Sequence, residues 1–163
     1  MNSKDLQRFI DENGVAAKIL PLSSNTATVS EAADALGVAA EQIIKSLVFR
    51  IHEEPLLVIN NGLARVDRKK LAGALGVGRK KVKFESPEKA LAITGYAVGA
   101  MPPFGHRTPL RTLVDAAVES QSLIFGGGGR DDAMMRLTPD ELLRITGGEV
   151  CDISESQPHR SFR

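Results

Sequence analysis

Glycine stands directly behind four short amphipathic stretches, at positions 14, 37, 76 and 95, so the helices this chain can form are short. Ser3 caps a first helix whose apolar residues Leu6, Phe9 and Ile10 fall three and four apart, ending at Gly14. Thr28 and Glu31 form a capping-box pattern ahead of Ala32, Ala33 and Leu36, with Gly37 as the stop. Asp67 caps residues 68–75, and Ser86 with Pro87 opens a helix to Thr94. A last helix starts at Thr138, Pro139 and Glu141 and runs to Ile145; Glu41 and Gln42 close a helical turn.

Between these helices lie runs of branched apolar residues. Strands are expected at 15–22, 43–51, 56–60, 81–84, 110–114, 122–125, 133–137 and 150–153. The short 52–55 segment makes a hairpin of the second and third. Residues 96–109, with Gly99, Pro102, Pro103, Gly105 and Pro109, are too punctuated for either element and form an ordered loop. The expectation is an α+β fold: one domain with a mixed, strongly curved sheet and short helices packed around it. It spans 1–153, followed by a polar tail, 154–163, expected to be disordered. At 163 residues, 42% hydrophobic and 25% charged, one core suffices.

Several function classes drop out. No apolar run reaches the roughly 18–20 residues that span a bilayer, and 1–14 is charged throughout, unlike a signal peptide. Cys151 is the only cysteine, so no internal disulfide can form; these features point to the cytoplasm. His52, His106 and His159 are scattered, and no HxxxH, CxxC or GxSxG spacing occurs, so neither a metal site nor a serine triad is expected.

Charge is uneven. Residues 65–83 hold eight basic side chains (Arg65, Arg68, Lys69, Lys70, Arg79, Lys80, Lys81, Lys83) against one acid, Asp67, in a chain of net charge +1. That is either a polyanion footprint or a solvated face.

Three features could carry chemistry. Lys45 shares a strand face with Ile43, Leu47 and Phe49. A lysine there needs a partner or a cleft for its ammonium, unless its stem snorkels to water or the register is one residue off. Gly99-Ala100-Met101-Pro102-Pro103 is a GxxxP loop, able to present amides to a carbonyl or to act as a plain rigid connector. Gly126, Gly127, Gly128 and Gly129 follow a strand and could cradle phosphate or carbonyl groups, or make a wide bend. The run lacks the lysine and hydroxyl of a nucleoside-triphosphate loop. Asp131 and Asp132 adjoin it, as holders of a ligand amine or as turn residues.

The order and spacing of Ile-Ile-Lys-Ser-Leu-Val-Phe around Lys45, the Gly99–Pro103 loop and the glycine run resemble the YbaK/ProX-type aminoacyl-tRNA deacylases. That family includes the editing insertion domain of bacterial prolyl-tRNA synthetase, and the resemblance spans residues 3–153. It implies a hydrolase of mischarged tRNA that needs no metal or cofactor. Lys45, Gly99, Ala100, Met101 and Pro103 would form the working site, with Ser46 and Gly126–Gly129 binding substrate. The leaving acyl group would be alanine, cysteine, serine or threonine, with tRNA for proline as the natural acceptor and a prolyl-tRNA synthetase as a further partner. Arg68, Lys69, Lys70, Arg79, Lys80 and Lys81 would hold the tRNA. Met134 and Met135 stand where some relatives carry an acidic residue. The competing expectation is a non-catalytic tRNA-binding or synthetase-associated module, which would explain the basic stretch and the missing nucleophile equally well.

Overall fold

The computed structural model describes residues 1–25 and 28–156. In chain order its elements are α1 (Ser3–Asn13), β1 (Lys18–Pro21), α2 (Val29–Leu36), β2 (Ile44–Ile51), β3 (Glu54–Asn61), α3 (Arg68–Leu75), β4 (Val82–Phe84) and α4 (Pro87–Thr94). Then come β5 (Arg111–Asp115), α5 (Ala116–Glu119), β6 (Ile124–Gly127), β7 (Ala133–Leu137), α6 (Pro139–Thr146) and β8 (Glu149–Cys151). Short 3-10 turns at Ala40–Gln42 and Arg79–Lys81 lead into β2 and β4.

Gly14, Gly37, Gly76 and Gly95 end their helices in the left-handed conformation, as the sequence pattern requires. The cap of α1 differs. Asn2, not Ser3, accepts from the Lys4 N–H, and Asp5 accepts from the Asn2 N–H. Ser3 is already the first residue of the helix, and its hydroxyl donates to the Gly128 carbonyl at 2.6 Å.

The mixed sheet has five strands in the order β4-β2-β3-β5-β8. β4, β2 and β3 are antiparallel, while β3-β5 and β5-β8 are parallel. A second, antiparallel sheet, β1-β7-β6, joins it through a bridge between Ile43 and Phe125. The hairpin of β2 and β3 turns at His52 and Glu53, both at positive φ (49° and 68°), which matches the right-handed twist of the strands.

β3 is buried on both faces, and alternation sorts its side chains into two cores. Leu57 and Ile59 join Ile44, Val48, α1 and α6 on one face; Leu56 and Val58 join Phe49, Leu71 of α3 and Ile153 on the other. Each fully buried aliphatic side chain contributes roughly 1.5–3 kcal/mol. A third cluster packs α2 (Ala32, Ala33) on Ile43, Phe125 and Met134. The four-residue α5 is capped by Asp115, whose other oxygen accepts from the Ile153 N–H.

The expected tail begins with residues that are held. Ser154 bridges to Val66, and the Glu155 N–H donates to the Arg65 carbonyl at 2.8 Å. The rest of that tail from residue 157, with His159, lies outside the described residues. Among the described residues no helix is long and apolar enough to cross a membrane.

Candidate functional site

A cleft of about 620 Å³ opens where the start of β2, the GxxxP loop, the glycine run and α2 meet. Its apolar wall comes from Val29, Ala32, Ile43 and Met134; its polar lining includes Lys45, Ser46, Arg130 and Asp131.

Lys45 stands on the same sheet face as Leu47 and Phe49, opposite Asn60 on β3. Its Nζ donates to the Ala64 carbonyl at 2.9 Å. Burial first, and the nearby Arg65 guanidinium second, pull its pKa below the ordinary lysine value. None of the ion pairs among the described residues involves Lys45. Ser46 lines the same cleft from the other face of β2.

The GxxxP loop turns at Gly99 (φ 93°), a conformation that favours glycine. The Ala100 N–H donates to the Ala97 carbonyl, whereas the N–H groups of Gly99 and Met101 meet no protein acceptor among the described residues. Both residues line the cleft. His106 braces the loop from behind, its Nε2 lying 2.7 Å from the Pro102 carbonyl oxygen. Burial lowers the His106 pKa, which favours the neutral ring with Nε2–H as donor. Pro103 is buried and lines a separate small cavity with Phe9 and His106, and its ring restrains the loop backbone.

The glycine run supports that loop at close range. A Cβ on Gly127 would collide with the Ala100 and Met101 carbonyls. The Gly129 N–H donates to the Ala100 carbonyl at 2.9 Å, and the Gly128 N–H to Ala133 at 3.1 Å. Those two amides are therefore committed to the fold. Gly127 and Gly129 line the cleft; Gly126, beside Ile44 and Pro103, and Gly128 do not. The two aspartates also separate. Asp132 pairs with Arg130 at 3.0 Å, while Asp131 is exposed on the cleft lining.

The basic stretch divides. Arg68, Arg79, Lys80 and Lys81 line one open groove of about 870 Å³ with His52 and Lys83. Lys69 does not line that groove. Lys70 is held elsewhere, donating to Asp152 (3.1 Å) and to the Ser154 carbonyl (2.9 Å). The groove lies at the turn end of the β2–β3 hairpin and Lys45 at the other, roughly 23 Å along the strand at ~3.3 Å per residue.

Sequence reasoning missed Asn60, which is fully buried beside Lys45. The available signal was a polar residue closing the apolar run Leu56–Ile59. It also missed α2 as a cleft wall, since nothing local in 29–36 announces what that helix faces.

Residues 23–145 match the model of the aminoacyl-tRNA editing domain family, and the chain belongs to that family. It is 27% identical to the candidate Cys-tRNA(Pro)/Cys-tRNA(Cys) deacylase EbsC of Enterococcus faecalis, over 83% of this chain and 82% of that protein. It is 31% identical to the proline--tRNA ligase of Streptococcus equi over 80% of this chain, but the match spans only 21% of the ligase. The fold superimposes with a TM-score of 0.88 on a crystal structure described as a candidate trans-editing enzyme for prolyl tRNA synthetase. The two chains are 34% identical, with 94% of this chain and 97% of that one covered.

Proposed function

We propose that this protein is a deacylase that hydrolyses the ester of mischarged tRNA carrying alanine, cysteine, serine or threonine, with tRNA for proline as the acceptor. The observation that carries this reading is that Lys45, Gly99 and Met101 line one cleft. Its size suits an aminoacyl-adenosine end, ligand pockets being roughly 300–1,000 Å³.

The chemistry follows from those parts. An aminoacyl ester is already activated, so hydrolysis needs a placed water and donors aimed at the developing oxyanion. The Gly99 and Met101 N–H groups serve as those donors, each typically worth about 3–4 kcal/mol. Lys45 leaves the Ala64 carbonyl to hold a phosphate or ester oxygen, as a point charge on a flexible stem. Asp131 receives the α-ammonium, and the wall of Val29, Ala32 and Met134 meets the small side chain. The ribose hydroxyl beside the ester helps place the water. With a cysteinyl ester the substrate thiol can attack its own carbonyl instead, forming a thiolactone as the ester C–O bond breaks and the ribose oxygen takes the proton. A second sieve of this kind is needed because one methylene changes binding by only about 1–3 kcal/mol in a synthetase pocket.

The groove of Arg68, Arg79, Lys80 and Lys81 follows the tRNA backbone away from the ester. The test is single-turnover decay of a panel of aminoacyl-tRNAs, with and without a prolyl-tRNA synthetase. Accelerated loss of the small esters, with prolyl-tRNA spared, is expected. A protein that only slowed hydrolysis would be a binding module, and equal cleavage of prolyl-tRNA would end the editing assignment.

A further inference from the structure

Asn60 lies directly across from Lys45 in the antiparallel register of β2 and β3, so both side chains occupy one face of the sheet. They end on the same acceptor. Lys45 Nζ donates to the Ala64 carbonyl at 2.9 Å, and Asn60 Nδ2 donates to it at 3.0 Å. The loop that carries this carbonyl is pinned on every side. Asn61 Oδ1 accepts from the N–H groups of Leu63 and Ala64, and the Gly62 N–H donates to the Ile43 carbonyl at 2.7 Å. Asn60 itself has no exposed surface, and its Oδ1 meets no donor among the described residues. Rotating the amide would not help, because it would set Oδ1 against the Ala64 carbonyl oxygen, acceptor against acceptor. A buried amide oxygen left unmet costs stability. The preceding β3 residues are leucine, leucine, valine and isoleucine, so an apolar side chain would suit the strand better. The hydrogen bond its side chain does make, to the Ala64 carbonyl, is therefore where its use lies.

We propose that Asn60 is a positioning residue for Lys45: it holds the Ala64 carbonyl as a fixed rest for the ammonium at the cleft. A carbonyl oxygen has two lone pairs, and here each takes one donor. When Lys45 swings to an anionic substrate oxygen, the carbonyl keeps its bond to Asn60 and is not stranded. When Lys45 returns, the acceptor stands where it was. The four rotors of the lysine stem are thus restrained before substrate arrives, which reduces the ordering left to be done on binding. The second half of this inference rests on the deacylase reading; the first does not.

The test has two arms. Asn60→Leu removes both amide groups at similar volume; melting and circular dichroism report its folding, and Asn60→Ala replaces it if leucine does not fit. In the free protein, ¹³C relaxation at the Lys45 ε-methylene, assigned by its loss in Lys45→Arg, measures how firmly the stem is held. Order is expected to fall in the Asn60 variant, and unchanged order would overturn the proposal. The second arm is a double-mutant cycle on kcat/KM with Lys45→Ala. The Asn60 change is expected to cost about tenfold when Lys45 is present and nothing further when it is absent. An equal loss in both backgrounds would mark Asn60 as merely structural and overturn the proposal. Where Lys45→Ala leaves no measurable rate, affinity for a non-hydrolysable aminoacyl-amide analogue of the tRNA end takes its place. A wild-type protein that deacylates nothing would defeat the functional reading alone, since the relaxation arm still decides whether Asn60 places Lys45.

Discussion

Gly129 donates its backbone N–H to the Ala100 carbonyl at 2.9 Å, which makes the glycine run and the GxxxP loop one braced unit. The brace is close because Gly127 has no Cβ to meet the Ala100 and Met101 carbonyls. Gly127→Ala is expected to push the loop out of place, at a cost of about 1–3 kcal/mol in stability from overpacking. Deacylation should fall at least tenfold, more than the thermal shift accounts for. A folded variant with the wild-type rate would show that the loop yields without consequence.

Lys45→Ala is expected to reduce kcat/KM about 100-fold, equal to roughly 2.7 kcal/mol of transition-state stabilisation. The fold should survive, because Lys45 is only partly buried and belongs to none of the hydrophobic clusters described above. Deacylation assays beside melting curves check this. A well-folded variant at the wild-type rate would return Lys45 to a structural lysine.

The depressed pKa of Lys45 sets two pH trends of opposite sign. Only the ammonium can hold an anion, so deacylation, corrected for uncatalysed hydrolysis, should fall before the ordinary value of 10.5 is reached. Stability from the same group rises with pH. The unfolded chain holds this proton more tightly than the folded one, so the penalty for burying the charge is present in full at low pH. It is relieved between the depressed folded pKa and 10.5. Lys45→Met should remove both trends, as pH–rate profiles and pH-dependent melts would show.

Arg68, Arg79, Lys80 and Lys81 share one groove, whereas Lys70 is tied to Asp152. Changing the four to alanine should weaken tRNA binding and flatten its salt dependence. On the duplex-DNA scale the slope changes by about 0.9 for each phosphate that is no longer neutralised. Lys70→Ala should leave that slope unchanged and cost about 0–1 kcal/mol of stability, the usual worth of an exposed pair. Equal slopes for both variants in a salt series would show that the groove is only a solvated face.

The helix boundaries were legible because caps and stops act within a few residues. Thr28, Asp67 and Ser86 each accept from a backbone N–H two or three residues on, and the glycines behind them take the left-handed turn. The cap of α1 was misassigned by one residue, since Asn2 with Asp5 makes the capping box, and the Ser3 hydroxyl turns instead to the Gly128 carbonyl, 125 residues away. In the site, Lys45 and the GxxxP loop stood out as local anomalies, a charge on an apolar strand and a proline-stiffened glycine turn. The glycine run also stood out, but a ligand cradle and a place of close backbone approach look the same in one dimension. The structure commits Gly128 and Gly129 amides to the second use.

The chain by itself determined what depends on neighbours in sequence: short capped helices, the β2–β3 hairpin, the alternation that sets Lys45 beside Leu47 and Phe49, and a local excess of positive charge. Tertiary structure alone decided which backbone groups remain free for a substrate, since that depends on which ones the fold has already used. It also decided that Asn60 shares an acceptor with Lys45, that Asp131 lines the cleft while Asp132 pairs with Arg130, and that Lys70 leaves the basic groove for Asp152. The physical reason is common to all of these. Hydrogen-bond and ion-pair partners lie within about 3–4 Å in space, and here the decisive ones come from segments up to 125 residues apart in the chain.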